Sequence, residues 1–431
     1  MADSVPNPGK PKKLFFACLL VWIVITVGWI NLLIAQLQAH TNPQYPPGVV
    51  TLPNGRTFVQ DFAWQMIFFR GIRDHEITRP YTMAQQEMYV RQVLPFAKGG
   101  MTHAYSPVAF VLARPLIATP GQGAFLIYTV LCGLGIVTLF HFWLLPRTTS
   151  MPQLAALGVC VFSLCLVFGF LVGQSAILTT TLLGALWAIL QTRRQATWGN
   201  DLLLAILFWA LCLKPSVTVI PAMLLLGARA WRALAVSAML LLATWTLVCG
   251  HYGGWLTGLR DYAQFLNHYN NAEMSPFLRR GDETATGYAL TRMLFSVNRT
   301  LLLGLSAGLL LLRWLGRISA PEHFLGTAWV FLLFSPYLLP SELWMLCLLV
   351  VEGSFFRSQP WPLAAAKLLL LAAVLDIRDG LFLPVDINFP LKCLLAAWIL
   401  FDALRERKSL PGGGAIILRV ASVYRKPKRP R

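Results

Sequence analysis

Long apolar stretches recur along this chain, and they constrain its fold more than any other feature. A membrane-spanning α-helix needs about 20 mostly apolar residues. Apolar residues make up 56% of the chain and charged residues 13%, and the charged share is about half of that in a soluble domain. The sequence therefore predicts an all-α polytopic membrane protein with about 12 transmembrane helices. We place them at about residues 14–37, 122–145, 152–171, 175–192, 200–213, 215–228, 233–250, 299–315, 322–338, 340–356, 361–376 and 388–404.

The first apolar stretch is compatible with either a signal peptide or a membrane anchor. It runs from about Leu14 to Leu37 and follows three lysines. It is long for the apolar core of a signal peptide, and the residues after it make a poor cleavage site. We therefore expect an uncleaved first helix. Residues 1–404 would then form one transmembrane domain, and residues 405–431 a basic cytoplasmic tail.

The basic residues in the short connections predict the orientation of the helices. Cytoplasmic loops of membrane proteins carry an excess of lysine and arginine. Basic residues recur at every second connection, which predicts an even number of spans with both termini in the cytoplasm. Because so much of the positive charge lies at the ends of apolar stretches, we expect contact with the lipid bilayer and none with nucleic acid. The basic positions are Lys10, Lys12, Lys13, Arg147, Arg193, Arg194, Arg229, Arg232, Arg313, Arg317, Arg357, Arg405, Arg407 and Lys408, together with the basic residues of the tail Arg425–Arg431.

Two long polar segments lie on the external face in this topology, at about residues 40–120 and 251–298. Each contains apolar residues at helical spacing, and we expect each to form a short amphipathic helix along the membrane surface. The first apolar stripe comprises Phe58, Phe62, Met66 and Phe69, and the second comprises Leu256, Leu259, Ala263 and Leu266.

The eight cysteines all lie in apolar stretches, without a CxxC pair or a comparable metal-ligand spacing. This placement favours small buried apolar side chains over a disulfide framework or a metal centre. The sequence indicates no cofactor, and it leaves dependence on a divalent cation open.

Two residues of the expected external face are candidates for chemistry. Lys214 precedes Pro215 at the edge of a span, where a cation is costly unless something offsets it. Its side chain would either bind a phosphate or snorkel to the membrane interface. Asp61 is the lone carboxylate of a mostly apolar segment, and it suits either a general base or the solvated face of a surface helix.

Three further residues of this face are less specific. Arg279 and Arg280 suit either a phosphate clamp or an interface anchor. Gln174 lies in a tight connection between two spans, and its spacing alone assigns it no role.

Short motifs follow one another in a fixed order from about residue 57 to 350. They are Asp61-Phe62, Gly71, Pro80-Tyr81, Tyr105-Ser106-Pro107, Arg114-Pro115-Leu116, Gly173-Gln174, Leu213-Lys214-Pro215 and Ser335-Pro336-Tyr337 with Glu342. In order and spacing the set resembles glycosyltransferase family 87, whose members have the C-type glycosyltransferase fold. The chain departs from the family's pattern at Ser106, where a second proline is usual, and at Glu342, where an aspartate is usual.

The resemblance implies an enzyme of the plasma membrane with its active site on the external face. The donor would be a sugar linked to polyprenyl phosphate, with mannose or arabinose usual, and the acceptor a lipid or a glycan. Asp61 would take the proton of the acceptor hydroxyl, and the lipid phosphate would leave with inversion. Lys214, with Arg279 or Arg280, would stabilise that leaving phosphate. Further substrate contacts would come from Tyr81, His103, Tyr105, Gln174, Arg279, Arg280 and Glu342.

Two other classes of function compete with a transferase. A secondary transporter or flippase of the 12-helix type is the main alternative, and a non-catalytic lipid-binding scaffold is the third. Transporters usually show internal repeats and charges near the bilayer midplane. We find no repeat in the sequence, and its charges cluster at one expected surface. Asp61→Asn should abolish glycosyl transfer and leave transport or scaffolding largely intact.

Overall fold

The structure, a computed structural model, describes most of the helical segments of the chain. Within the described residues the fold is all-helical apart from one antiparallel two-stranded sheet. In this sheet β1 (Val49–Thr51) pairs with β2 (Thr57–Val59). The described residues are 49–51, 57–59, 61–93, 105–119, 121–163, 166, 173, 175–193, 197–250, 254–270, 285–335, 340–353, 356, 361–376 and 391–399.

Helices follow the sheet in chain order. The first seven are α1 (Asp61–Arg73), α2 (Met83–Val93), α3 (Pro107–Ile117), α4 (Gly121–Leu139, extended by a π-helical turn at Phe140–Leu144 and by Leu145–Arg147), α5 (Met151–Phe162), α6 (Ala176–Thr192) and α7 (Trp198–Leu211). The others are α8 (Val219–Gly227), α9 (Trp231–Cys249), α10 (Trp255–Asn270), α11 (Ala285–Trp314), α12 (Ala320–Phe334), α13 (Leu346–Glu352, after a 3-10 turn at Pro340–Met345), α14 (Trp361–Asp376) and α15 (391–399).

Several helices begin at capping residues that the sequence supplies. The Thr197 hydroxyl accepts a hydrogen bond from the backbone N–H of Asn200 at the start of α7. At α12, Ser319 and Glu322 form a reciprocal capping box, in which each side chain accepts from the other residue's backbone N–H. Such caps satisfy N–H groups that have no partner within the helix.

The helices pack around one apolar core. α6 packs against α4 and α7, α7 against α9, and α12 against α8 and α11. Trp187 of α6 stacks on Phe324 of α12 with ring centroids 4.6 Å apart, and Trp344 is completely buried. Aromatic side chains of this size supply much of the apolar area that holds the bundle together.

Helices α6, α7 and α8 run back and forth between two ends of the bundle. At the first end, Tyr105 and Ser106 lie beside Ser175 and residues 212–214, and we call it the motif end. At the opposite end, residues 190–193, 226–229 and 313–323 lie together, and we call it the arginine end. Helix α6 runs from one end to the other, and its 17 residues span about 25 Å.

Helix α9 turns the polar side chains of Ser237 and Thr244 inward and several large apolar side chains outward. The Ser237 hydroxyl donates to the Ala205 carbonyl oxygen at 3.2 Å, and Trp209 Nε1 donates to the Thr244 hydroxyl at 2.9 Å. Met239, at 62% exposure, and other large apolar side chains of α9 lie on the outer face. A helix in a water-soluble protein has the reverse arrangement, whereas a lipid-facing helix packs its neighbours through small and polar residues.

Two described helical segments are long and apolar enough to cross a membrane by length and composition: Gly123–Arg147 and Trp231–Cys249. Shorter apolar helices of 10–17 residues occupy most of the other described positions where we expected spans. The all-α class is thereby confirmed, and the number of spans stays a prediction.

The structure corrects the sequence analysis in the two polar segments. Phe58 lies in strand β2 and not on the stripe of α1, which begins at Asp61. In the second segment α11 begins at Ala285, well before the predicted start at residue 299. As expected for an amphipathic segment, residues Trp255–Asn270 form the helix α10, whose predicted apolar stripe lies on the outer side, with Leu256 at 64% exposure, while Tyr262 faces the protein.

Candidate functional site

The first turn of α1 contacts the connection that precedes α6. Asp61 opens the helix, and Phe62 packs its ring against Phe125 and Tyr128 of α4 at centroid distances of 5.4 and 4.7 Å. Gly173 has a φ of +72°, and a Cβ built there would overlap the Cβ of Phe62 and lie 3.2 Å from its backbone nitrogen. Only glycine combines this backbone conformation with so close an approach. Gly173 therefore lies directly beside the residue that follows Asp61.

Ser106 joins the start of α3 to the turn that contains Lys214. Its hydroxyl donates to the Cys212 carbonyl oxygen at 2.6 Å, and its backbone N–H donates to the Leu213 carbonyl oxygen at 3.1 Å. The same hydroxyl accepts from the Val108 N–H and so caps α3. A residue that caps a helix and also bonds a distant turn fixes both segments relative to each other.

Tyr105 joins the same junction to the segment before α6. Its hydroxyl lies 3.3 Å from the Ser175 hydroxyl, within hydrogen-bond distance. Gly173 therefore contacts α1, and Ser175 contacts Tyr105. Four of the motifs predicted from sequence thus meet at the motif end.

Lys214 lies in the irregular turn between α7 and α8. The backbone N–H of Lys214 still bonds the Leu211 carbonyl oxygen, and the N–H of Val217 then bonds the Lys214 carbonyl oxygen. Pro215 has no N–H to donate, so the helix is interrupted there. The Lys214 side chain is 8% exposed and its ammonium nitrogen is buried. Burial within the protein argues against snorkelling, which would require the ammonium group to reach the aqueous interface.

Tyr81 belongs to a second cluster, which links the first polar segment to α10. It is buried, and its ring centroid lies 4.7 Å from that of Tyr262 and 5.8 Å from that of Trp245. Desolvation by burial raises the pKa of Tyr81 well above its ordinary value, so its hydroxyl stays protonated at neutral pH. Next to it, Arg79 forms two hydrogen bonds to the carboxylate of Asp261, at 2.6 and 2.9 Å. This fork fixes the loop against α10.

The end of α1 is fixed in a similar way. Arg70 donates to the Thr119 carbonyl oxygen at 3.3 Å, and Arg73 donates to the Ile117 carbonyl oxygen at 3.2 Å. These carbonyl groups end α3 and have no partner within the helix, so cations at that end are favourable. The two arginines therefore hold the last turn of α1 against the end of α3.

Several predicted site residues lie outside the described residues. These are His103, Gln174, Arg279 and Arg280. Asp61 and Glu342 are described by their backbone alone: Asp61 begins α1, and Glu342 lies in the 3-10 turn before α13. Among the described residues, no group of three histidine, cysteine, aspartate or glutamate side chains could hold a metal ion.

Ser106 and Ser175 had no predicted role of their own, although both join motifs to each other. Ser106-Pro107 carries a recognisable signal, because serine followed by proline is typical of a helix start. Nothing in the sequence indicates that the Ser106 hydroxyl also reaches Cys212, which lies 106 positions further along the chain.

Comparisons with protein-family models, curated proteins and solved structures gave no match for this chain. The resemblance to glycosyltransferase family 87 therefore stays a prediction, and it depends on the motifs and on where they lie.

Proposed function

We propose that this chain is a membrane glycosyltransferase that moves a sugar from a polyprenyl-phosphate carrier to a lipid or glycan acceptor. One observation carries the proposal. The start of α1 at Asp61, Gly173, the Tyr105-Ser106 pair and the Lys214 turn meet at one end of the bundle. These segments are distant in sequence. The proposed reaction needs a residue that accepts a proton and a cation that binds phosphate, and Asp61 and Lys214 would supply them from two of these segments.

The proposed reaction is an in-line displacement at the anomeric carbon. The acceptor hydroxyl oxygen forms a bond to that carbon, and the bond from the carbon to the phosphate oxygen of the carrier breaks with inversion. Asp61 accepts the hydroxyl proton as the new bond forms. The electron pair of the broken bond stays on the polyprenyl phosphate, which therefore gains negative charge in the transition state.

Lys214 is the proposed stabiliser of the leaving phosphate. A buried ammonium group acts on a developing negative charge in a medium of low dielectric constant, where the attraction is stronger than in water. The charge grows during the reaction, so this contact lowers the barrier and does not merely tighten binding. Tyr105 lies half-buried at the same junction and would border the sugar.

In this proposal the motif end lies at the external face of the plasma membrane and the arginine end at the cytoplasm. The outward apolar side chains of α9 support a lipid environment, and the arginines at the arginine end support a cytoplasmic position for that end. The hydrophobic carrier would approach through the lipid, with its phosphate at the level of Lys214. Gln174, His103, Arg279, Arg280 and Glu342 stay proposed substrate contacts.

Mass spectrometry of membrane lipids and glycans from a deletion strain tests the function. We expect one sugar unit to be missing from one acceptor class, and its polyprenyl-phosphate donor to accumulate. Wild-type protein should restore the glycan, and the Asp61→Asn variant, expressed at the same level, should not. Unchanged glycans and donor lipids in the deletion strain would refute the proposal.

A further inference from the structure

A cavity of about 390 Å³ opens at the arginine end of the bundle. It lies where α6 and α8 end and α12 begins, about 25 Å along α6 from the motif end. The proposed transferase chemistry makes no use of it. Its wall combines apolar side chains, such as Trp187 and Leu224, with four basic residues: Arg193, Arg229, Arg313 and His323.

The positive charge of this cavity is only partly compensated. Arg193 forms an ion pair with the buried carboxylate of Asp201 at 2.7 Å. Arg313 donates to the Ile318 carbonyl oxygen at 3.2 Å, and its guanidinium group is repelled by that of Arg229. In the described part of the chain, neither Arg229 nor Arg313 forms an ion pair with a carboxylate. Two adjacent cations beside an enclosed space favour an anionic occupant.

His323 adds a buried polar group to the same wall. Its side chain is 2% exposed, and its Nε2 atom has no hydrogen-bond partner among the described residues. The ring lies close to the backbone of Gly227, because a Cβ built on this glycine would lie 2.6 Å from Cε1 and 2.7 Å from Nδ1. A buried polar atom without a partner costs free energy, which a bound ligand can recover.

The backbone conformation of Arg229 is a third, independent indication of a binding site at this cavity. The N–H of Ala230 bonds the Leu225 carbonyl oxygen and the N–H of Arg229 bonds that of Leu226, so α8 ends in a Schellman motif. Arg229 occupies the left-handed position of this motif, with a φ of +54°, where glycine is the usual residue. An arginine in this conformation is strained, and strain of this kind concentrates at functional sites.

We propose that the cavity at the arginine end binds a phosphate group, held by the guanidinium groups of Arg229 and Arg313 and by Nε2 of His323. Two planar guanidinium groups and an imidazole suit the several oxygens of phosphate better than those of a monovalent ion. The phosphate could belong to a soluble compound or to the headgroup of a membrane lipid, since the cavity has both a charged and an apolar wall.

The binding test uses the full-length protein in nanodiscs of zwitterionic lipid. One arm titrates inorganic pyrophosphate by calorimetry, and the other counts bound phosphatidylglycerol by native mass spectrometry. We expect one saturable site in one of the two arms, and that arm identifies the source of the phosphate.

Arg313→Gln should lower the affinity for the probe that binds by about tenfold or more, which is the loss expected for one charge-assisted contact. Arg317→Gln removes a nearby exposed arginine outside the cavity wall and should change the affinity little.

Arg229→Gly distinguishes a binding role from a structural one. Glycine relieves the left-handed strain, so the ligand-free protein should melt at the same or a higher temperature. The affinity for the phosphate probe should nevertheless fall by about tenfold. Wild-type affinity in Arg229→Gly, an equal loss in Arg317→Gln, or the absence of saturable binding in both arms would overturn the proposal.

Discussion

Replacing Gly173 by alanine tests the packing that holds the motif end together. The substitution adds one methyl group at a left-handed position, where it would overlap the Cβ of Phe62. Phe62 cannot move freely, because its ring packs on Phe125 and Tyr128. We therefore expect the first turn of α1 to shift, together with Asp61.

The expected loss in the free energy of unfolding has two contributions. A non-glycine residue in the left-handed region costs about 1–2 kcal/mol. Forcing an extra carbon into a packed site costs about 1–3 kcal/mol more. The sum predicts that Gly173→Ala lowers the free energy of unfolding by about 2–5 kcal/mol.

Gly316 provides the matched control. Its φ of +70° is nearly that of Gly173, and a Cβ built there meets nothing within 4 Å. Gly316→Ala should therefore show the backbone cost alone, about 1–2 kcal/mol. The difference between the two variants isolates the overlap with Phe62.

Denaturant titration in mixed micelles, followed by tryptophan fluorescence, measures both variants. The rate of sugar transfer should fall by about a hundredfold in Gly173→Ala, because a shift of about 1 Å in a reacting group has that effect. Gly316→Ala should transfer at the wild-type rate. Equal destabilisation by the two substitutions would show that Gly173 does not contact α1 as described.

Substitutions at three further residues test other parts of the account. Ser106→Ala removes the bond to Cys212 and the cap of α3, and we expect a loss of about 1–2 kcal/mol in the free energy of unfolding by the same titration. Lys214→Ala should lower kcat/KM for the polyprenyl-phosphate donor by about 10²–10³-fold. Lys214→Arg should restore only part of the lost kcat/KM. Unchanged kinetics in Lys214→Ala would show that Lys214 is a structural residue. Asp261→Asn should lower the melting temperature by weakening the fork from Arg79, with transfer near the wild-type rate. A loss of turnover without a loss of stability in Asp261→Asn would instead identify it as the general base.

The sequence predicted the long apolar helices well, because their signals are local. The expected span at 233–250 is the helix Trp231–Cys249, and the expected span at 175–192 is Ala176–Thr192. Composition sets the extent of such helices, and serine, threonine and proline mark their starts.

The polar segments were harder to predict, because apolar spacing alone does not separate a strand from a helix. Phe58 falls at helical spacing from Phe62, yet Thr57–Val59 pairs with Val49–Thr51. The Asn54-Gly55 dipeptide between them is a typical hairpin signal that the helical interpretation ignored. The early start of α11 was missed because residues 285–298 are too polar for a hydropathy threshold.

The sequence predicts which residues share one face of the protein, but it does not predict the contacts between them. Counting alternate connections assigned Tyr105, Gly173 and Lys214 to one face, and the structure brings their segments together. The contacts themselves depend on residues far apart in sequence, such as Ser106 and Cys212, and on the left-handed φ of Gly173. Neither feature leaves a periodic signal.

The most direct test of the central claim is the turnover of purified Asp61→Asn in lipid with a polyprenyl-phosphate-linked sugar. Asparagine keeps the shape of the side chain and removes its basicity, so the rate should fall by about 10²–10⁴-fold. Asp74→Asn, at the exposed end of α1, is the matched control and should turn over at the wild-type rate. Melting temperatures close to wild type in both variants would show that folding is intact. Wild-type turnover by Asp61→Asn would contradict the assignment of Asp61 as the general base.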